Sequence, residues 1–139
     1  PTEVLYALGE QARIVGISSS IPPLSVLGGM ERDRADPIAL EATAMAYVKL
    51  RALAVVDDHR RQGIASALLT RAMAIHRDHR AFFMYGQFTA GDAALTRFYQ
   101  RHGFTIHAPG EPVILAGSSR HRDVGASPLP GEQMFSRAI

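Results

Sequence analysis

From residue 53 to residue 66 the chain reads Leu-Ala-Val-Val-Asp-Asp-His-Arg-Arg-Gln-Gly-Ile-Ala-Ser, a strand end that gives way to a polar turn and then an amphipathic helix. The chemistry such a junction offers is anion binding. The first N–H groups of a helix have no partner inside it, and the aligned peptide dipoles add partial positive charge there. Gly63 leaves the main chain uncovered, Ala65 nearly so, and Arg60 and Arg61 add charge. The segment therefore offers a cradle for a diphosphate. One glycine equally suits an ordinary tight bend between strand and helix, and the residue types alone do not separate the two readings.

Other chemistry is excluded or weakly marked. There is no cysteine, which removes disulfides, thiolate metal sites and a thiol nucleophile. His76 and His79 stand three apart and could chelate a metal, but basic groups at a helix end commonly compensate the dipole, and no metal site is expected. Glu31, Arg32, Asp33, Arg34 and Asp36 form a charged knot that could steer a cationic amine or simply be a solvated loop. The net charge is +2, with 15 basic against 13 acidic residues, so nucleic acid is not expected as a partner. No apolar run approaches the ~18 residues of a membrane span and no leader opens the sequence, so neither a membrane partner nor export is expected and the cytoplasm is the expected compartment.

The elements that must hold the turn follow from periodicity. A chain of 139 residues with 47% hydrophobic and 20% charged residues fits one globular domain, residues 1–139. Thr2–Leu8 and Ala12–Ser18 read as a β-hairpin around Gly9-Glu10-Gln11. Ser18–Asp36, with Pro22-Pro23 and Gly28-Gly29, reads as a long loop. Asp36-Pro37 could cap a short helix, and a strand follows from about Tyr47 to Val56. Ile64, Leu68, Ala72 and Ile75 mark a helix with His76-Arg77 and His79-Arg80 at its end. Ala81–Thr89 is a buried strand, Asp92–His102 a second helix closed by Gly103, and Phe104–His107 a strand. Ala108–Gly131 reads as a loop with one apolar run, Val113–Ala116, before a last strand at Gln133–Ala138. The class is α/β.

Two motifs in this frame resemble one family. Arg60-Arg61-Gln62-Gly63-Ile64-Ala65 is similar to the Arg/Gln-x-x-Gly-x-Gly/Ala signature of the GNAT N-acetyltransferases, and it follows a Leu53-Ala54-Val55 strand end as in that family. Asp92-Ala93-Ala94-Leu95-Thr96-Arg97-Phe98-Tyr99, with Gly103-Phe104 behind it, resembles the family's second helix. The likeness covers about Tyr47–Phe104. It implies a mixed, mostly antiparallel sheet with flanking helices that splays between the strands Tyr47–Val56 and Ala81–Thr89. It also implies acetyl-CoA as cosubstrate, a small-molecule or peptide amine as acceptor, and direct transfer in a ternary complex.

Carried over by position, the resemblance has Leu53, Ala54 and Val55 pairing their backbone with the pantetheine arm. It has Arg61, Gln62, Gly63, Ile64, Ala65 and Ser66 holding the diphosphate through main-chain N–H groups beside the charge of Arg60. Asp92 stands where the family has an asparagine that contacts the cosubstrate, and it suits a helix cap as well. Tyr99 falls at the general-acid position. A thiolate leaving group of pKa ~8.5 can be protonated by a phenol of pKa ~10 at a cost near 2 kcal/mol, although an aromatic on an amphipathic helix is also ordinary core. The amine must lose a proton, and an ammonium of pKa ~10.4 is neutral at pH 7 only at a cost of ~4.6 kcal/mol. The family's two glutamate-base positions are Lys49 and Gln87 here, neither a carboxylate. Glu41, His59, His107 or a water chain remain, and the plain reading of each side chain is a solvated surface residue.

The resemblance also implies that the family's first strand and the two helices after it are missing ahead of Thr2. The long loops or a second chain would then complete the acceptor site, and a homodimer is the expectation on that ground. The alternative function is a domain that binds acyl-CoA as a sensor or scaffold without turnover. A nucleotide-binding domain fits less well, since both the lysine of a Gly-x-x-x-x-Gly-Lys loop and the three glycines of a dinucleotide turn are absent.

Overall fold

The computed structural model describes residues 2–115 and 124–139. Its strands are β1 (Glu3–Leu8), β2 (Ile14–Ile21), β3 (Tyr47–Val55), β4 (Phe83–Thr89), β5 (Thr105–Ile106), β6 (Val113–Leu115), β7 (Val124–Ala126) and β8 (Glu132–Ala138). Six of them form one sheet in the order β1-β2-β3-β4-β8-β5, and β6 pairs with β7 apart from it. Within the sheet only β3 and β4 are parallel. The helices are α1 (Leu24–Arg32), α2 (Pro37–Ala46), α3 (Ile64–Asp78) and α4 (Ala93–Arg101). The mixed, mostly antiparallel sheet with flanking helices is the expected architecture. No described helix is long and apolar enough to cross a membrane.

Strand alternation divides the core between two faces of the sheet. On one face Val48, Leu50, Met84, Phe88 and Phe135 meet Leu69, Ala72 and Met73 of α3 and Tyr99 of α4. On the other, Tyr47, Tyr85 and Met134 meet Val26 of α1 with Val113, Leu115 and Ala126. Small residues let α3 lie close on β2. A Cβ on Gly16 would stand 2.9 Å from Ile64 and 3.1 Å from Leu68, while Ser18 and Ser20 are fully buried.

Three expectations need correction. Ser18–Asp36 is not a long loop: β2 runs to Ile21 and α1 fills Leu24–Arg32. Pro22 and Pro23 start that helix, accepting from the N–H groups of Leu24, Val26 and Leu27. Gly28 and Gly29 lie inside it at a helix cost of about 1 kcal/mol each, offset by packing of Val26 and Met30 on the core. Two helices thus stand between β2 and β3. The segment 108–131 is likewise not one loop, because Val113–Leu115 and Val124–Ala126 pair as strands; residues 116–123 lie outside the described ones. Finally, His76 supplies no positive charge to the end of α3. It is 0% exposed, with Nε2 2.8 Å from the Glu3 carboxylate, and burial pulls its pKa down to about 4. Other boundaries moved by a residue or two: β4 starts at Phe83 and β5 spans Thr105–Ile106, while Asp36 caps α2 as expected, accepting from the Ile38 N–H.

Candidate active site

The parallel pair carries the site. Its ladder lasts three positions, Tyr47–Phe83, Val48–Met84 and Lys49–Tyr85, although β3 continues to Val55 and β4 to Thr89. The two strands therefore open from each other beyond Lys49 and Tyr85. Two local features start the opening. Ser19 faces Ala52 and Ser20 faces Leu50, so Arg51 is an extra residue in β3, a bulge that bends the strand where pairing stops. Gly86 sits opposite; a Cβ there would stand 2.9 Å from the Leu50 carbonyl oxygen and collide with the Phe135 ring. An isolated glycine in a strand signals such a close approach, and this was the one mark of the apex in the sequence.

The edge that β3 turns toward the opening is set by its other partner. The Val56 N–H donates to the Val15 carbonyl, and main-chain groups alternate sides along a strand. The N–H and C=O of Leu53 and Val55 therefore face the opening, whereas those of Ala54 face Ile17 of β2. The Val55 carbonyl also accepts from Arg60 Nε at 3.3 Å.

At the end of β3, Asp57–His59 make one 3-10 turn before the backbone enters the left-handed region at Arg61 (φ 64°) and again at Gly63 (φ 80°). Alternation of this kind turns successive N–H groups into one concavity. No side chain caps α3, so the N–H groups at its start keep their donors. Nothing lies within 4 Å of a Cβ built on Gly63, which leaves the mouth of the cradle open. Ile64 packs down on β2, and Ala65 and Ser66 are half-buried behind it. Arg60 is ion-paired to Asp57 at 2.9 Å, and the Gln62 side chain donates to the Asp58 carbonyl.

α4 begins at the end of β4, on the same edge of the sheet as the start of α3, and its N-terminus is occupied. Asp92 accepts from the N–H groups of Ala94 and Leu95 at 3.0 and 2.9 Å. Of the two helix starts beside the opening, one is thus blocked by a carboxylate and the other is bare. Only the bare one has N–H groups left to offer an anion.

Tyr99 lies on α4 over the apex. Its ring stacks on Phe135 at 3.8 Å between centroids and also contacts Phe88, Phe98 and Phe104. Phe135 pairs with Gly86, which ties the phenol to the point where the strands part. The residue is 6% exposed, and burial pushes its pKa up to about 12. The ring is core, as its type alone would suggest. Its hydroxyl is not among the fully enclosed polar atoms without a partner, in contrast to that of Tyr85.

The half-buried Lys49 and Gln87 flank the apex from the face away from α3 and α4. Of the other candidate bases, Glu41 is exposed on α2, His59 is half-buried beside Gly9, and His107 Nε2 is 2.8 Å from Ser136 Oγ. An open cavity of about 470 Å³ lies beside the cradle, between the start of β2 and Ala54–Asp58. It touches Arg60 but reaches neither Gly63 nor Tyr99. Among the described residues no group of three or more His, Asp or Glu could hold a metal.

A family profile described as an acetyltransferase (GNAT) domain matches residues 29–106, more than half of the chain and all of the segment from β3 through α4. The chain belongs to the GNAT acetyltransferase family. No curated protein sequence matches it. Solved structures of GNAT acetyltransferases share its fold. A ribosomal-protein-alanine N-acetyltransferase from Brucella melitensis superposes with TM-score 0.63 at 18% identity, over 99% of this chain and 69% of that one. An acetyltransferase from Bacillus cereus gives 0.62 at 15% identity, over 100% and 74%. A GNAT acetyltransferase from Staphylococcus aureus gives 0.63 at 15% identity, over 99% and 67%. At these identities the likeness is one of fold.

Proposed function

We propose that this GNAT domain transfers the acetyl group of acetyl-CoA to the primary amine of a small molecule or peptide, by direct attack in a ternary complex. The observation that supports it most is the bare, open N-terminus of α3 at the end of a strand whose neighbour has turned away. Those residues fit the cosubstrate. The N–H groups of Arg61 through Ser66 would hold the diphosphate, and the free edge of Leu53 and Val55 would pair with the pantetheine amides as an added strand. When bound, acetyl-CoA supplies the activated acyl group. The Tyr99 phenol, raised by burial, stays protonated at every physiological pH; it would give its proton to the departing sulfur as the nitrogen–carbon bond replaces the carbon–sulfur bond, and recover one through water from the nitrogen that has attacked.

Thiol release from acetyl-CoA over a panel of primary amines tests this. Amine-dependent release supports transfer. Binding of CoA with no release for any amine would favour the second reading, a domain that holds acyl-CoA without turnover. One observation speaks for that reading: the positions at the apex that could carry a basic carboxylate are Lys49 and Gln87.

A further inference from the structure

The face of the sheet opposite α3 and α4 carries a carboxylate that nothing above uses. Residues directly across an antiparallel pair share a face, which groups Tyr85 with Ser136, Gln87 with Met134 and Thr89 with Glu132. Tyr85 and Met134 pack in the cluster away from α3 and α4, so Gln87, Thr89 and Glu132 lie on that side too. Gln87 and Thr89 belong to the length of β4 that no longer pairs with β3. Glu132 is the diagonal neighbour of Gln87, a separation that long side chains span. Gln87 directly follows Gly86, whose partner Phe135 carries the Tyr99 ring on the other face. Tyr99 and Glu132 thus stand on opposite faces of one short stretch of β4.

Among the described carboxylates only those of Glu3, Asp92 and Glu132 belong to residues that are not exposed. Glu3 lies against His76, and Asp92 caps α4. Glu132 has Oε2 enclosed, with no hydrogen-bond partner among the described residues. The side chain is only half-buried, and its other oxygen is the one an ammonium group can reach, supplying donors and the opposite charge. Lys49 lies on the same face directly across from Tyr85, at the last paired position of β3 and β4, and Glu132 stands farther along, on β8 opposite Thr89. Glu132 also lies outside the residues matched by the family profile.

We infer that Glu132 receives the ammonium group of the acceptor, so that the cleft selects amines that arrive as cations. The inference rests on the N-acetyltransferase reading and names the acceptor's chemical class. The test measures acetylation of benzylamine and spermidine at pH 7 by the wild-type chain, E132Q and E132D, with CoA affinity followed by calorimetry. The expected result is a KM for both amines raised about ten- to a hundredfold in E132Q, as loss of a charged hydrogen bond implies. Dissociation of CoA should be unchanged, and E132D should recover part of the loss. If E132Q folds poorly, the wild-type chain decides: kcat/KM for spermidine should fall with added salt while CoA binding at Gly63 follows its own dependence. Unchanged KM in E132Q, or a salt-independent spermidine reaction, would overturn the inference with the acetyltransferase reading intact. A wild-type chain that acetylates neither amine and no other primary amine would overturn both.

Discussion

Removing the Tyr99 hydroxyl alone, as Tyr99→Phe, separates its two roles. The ring would keep its stack on Phe135 and its contacts with Phe88 and Phe104. Stability should change by no more than about 1 kcal/mol, a melting shift of a few degrees. The catalytic effect is larger. Burial pushes the phenol up to about 12, and the donor that replaces it is water, a far weaker acid. Loss of a positioned general acid should lower kcat about a hundredfold or more. The KM for acetyl-CoA should hold, since the cradle lies on α3. A group titrating near 12 also gives no alkaline fall in rate below about pH 11, whereas an ordinary phenol of pKa ~10 would begin to fail near pH 9. The assay is steady-state thiol release at saturating amine, beside a thermal melt. A Tyr99→Phe variant with the wild-type melt and kcat within threefold would show that the hydroxyl has no part in the chemistry.

Gly63→Glu should weaken CoA binding at least a hundredfold by calorimetry. A carboxylate at the mouth of the cradle repels a diphosphate by about 3 kcal/mol per charge at 5 Å and an effective dielectric of 20. The φ of 80° adds strain of about 1–2 kcal/mol, read as a small drop in melting temperature. Gly86→Ala should destabilise by about 1–3 kcal/mol in urea titration, because its Cβ meets the Phe135 ring and the Leu50 carbonyl; an unchanged midpoint would mean that the strands do not approach there. The unfolding free energy should fall on acidification from pH 6.5 toward 4. His76 binds its proton more weakly when folded, so its contribution is whole above 6.5 and is lost as pH drops toward about 4, up to about 3 kcal/mol. Glu3, raised by burial, acts in the opposite sense, its contribution lost as pH rises through its folded pKa. A chain carrying both Glu3→Gln and His76→Phe should show a flatter profile, and equal slopes would contradict the buried pair.

Much of the frame around the candidate site could be read from the sequence because its signals are local. Asp92 caps α4, Gly103 takes φ 77° at its end, and the apolar spacing from Ile64 marks α3. α1 could not be read, because paired prolines and paired glycines signal loop and only burial of Val26 against β6 and β7 outweighs them. His76 misleads for a related reason: its place in the last turn suggests a solvated cation, and only the neighbouring β1 shows it to be buried. The opening of the sheet is implied by the resemblance and marked in the residues only by Gly86; its geometry is otherwise tertiary. It depends on which strands stop pairing, and neither the bulge at Arg51 nor the place of Glu132 beside Thr89 leaves a mark in the order of residues.

In the proposed reaction, main-chain amides at the start of α3 grip a diphosphate and aim a thioester along the free edge of β3. Titration of the isotope-labelled chain with CoA, followed by amide chemical shifts, tests it residue by residue. The largest changes should fall at Arg61 through Ser66, with further changes at Leu53 and Val55 and little at Ala94 and Leu95, whose N–H groups Asp92 already holds. Saturable shifts that spare residues 61–66 and centre elsewhere would contradict it.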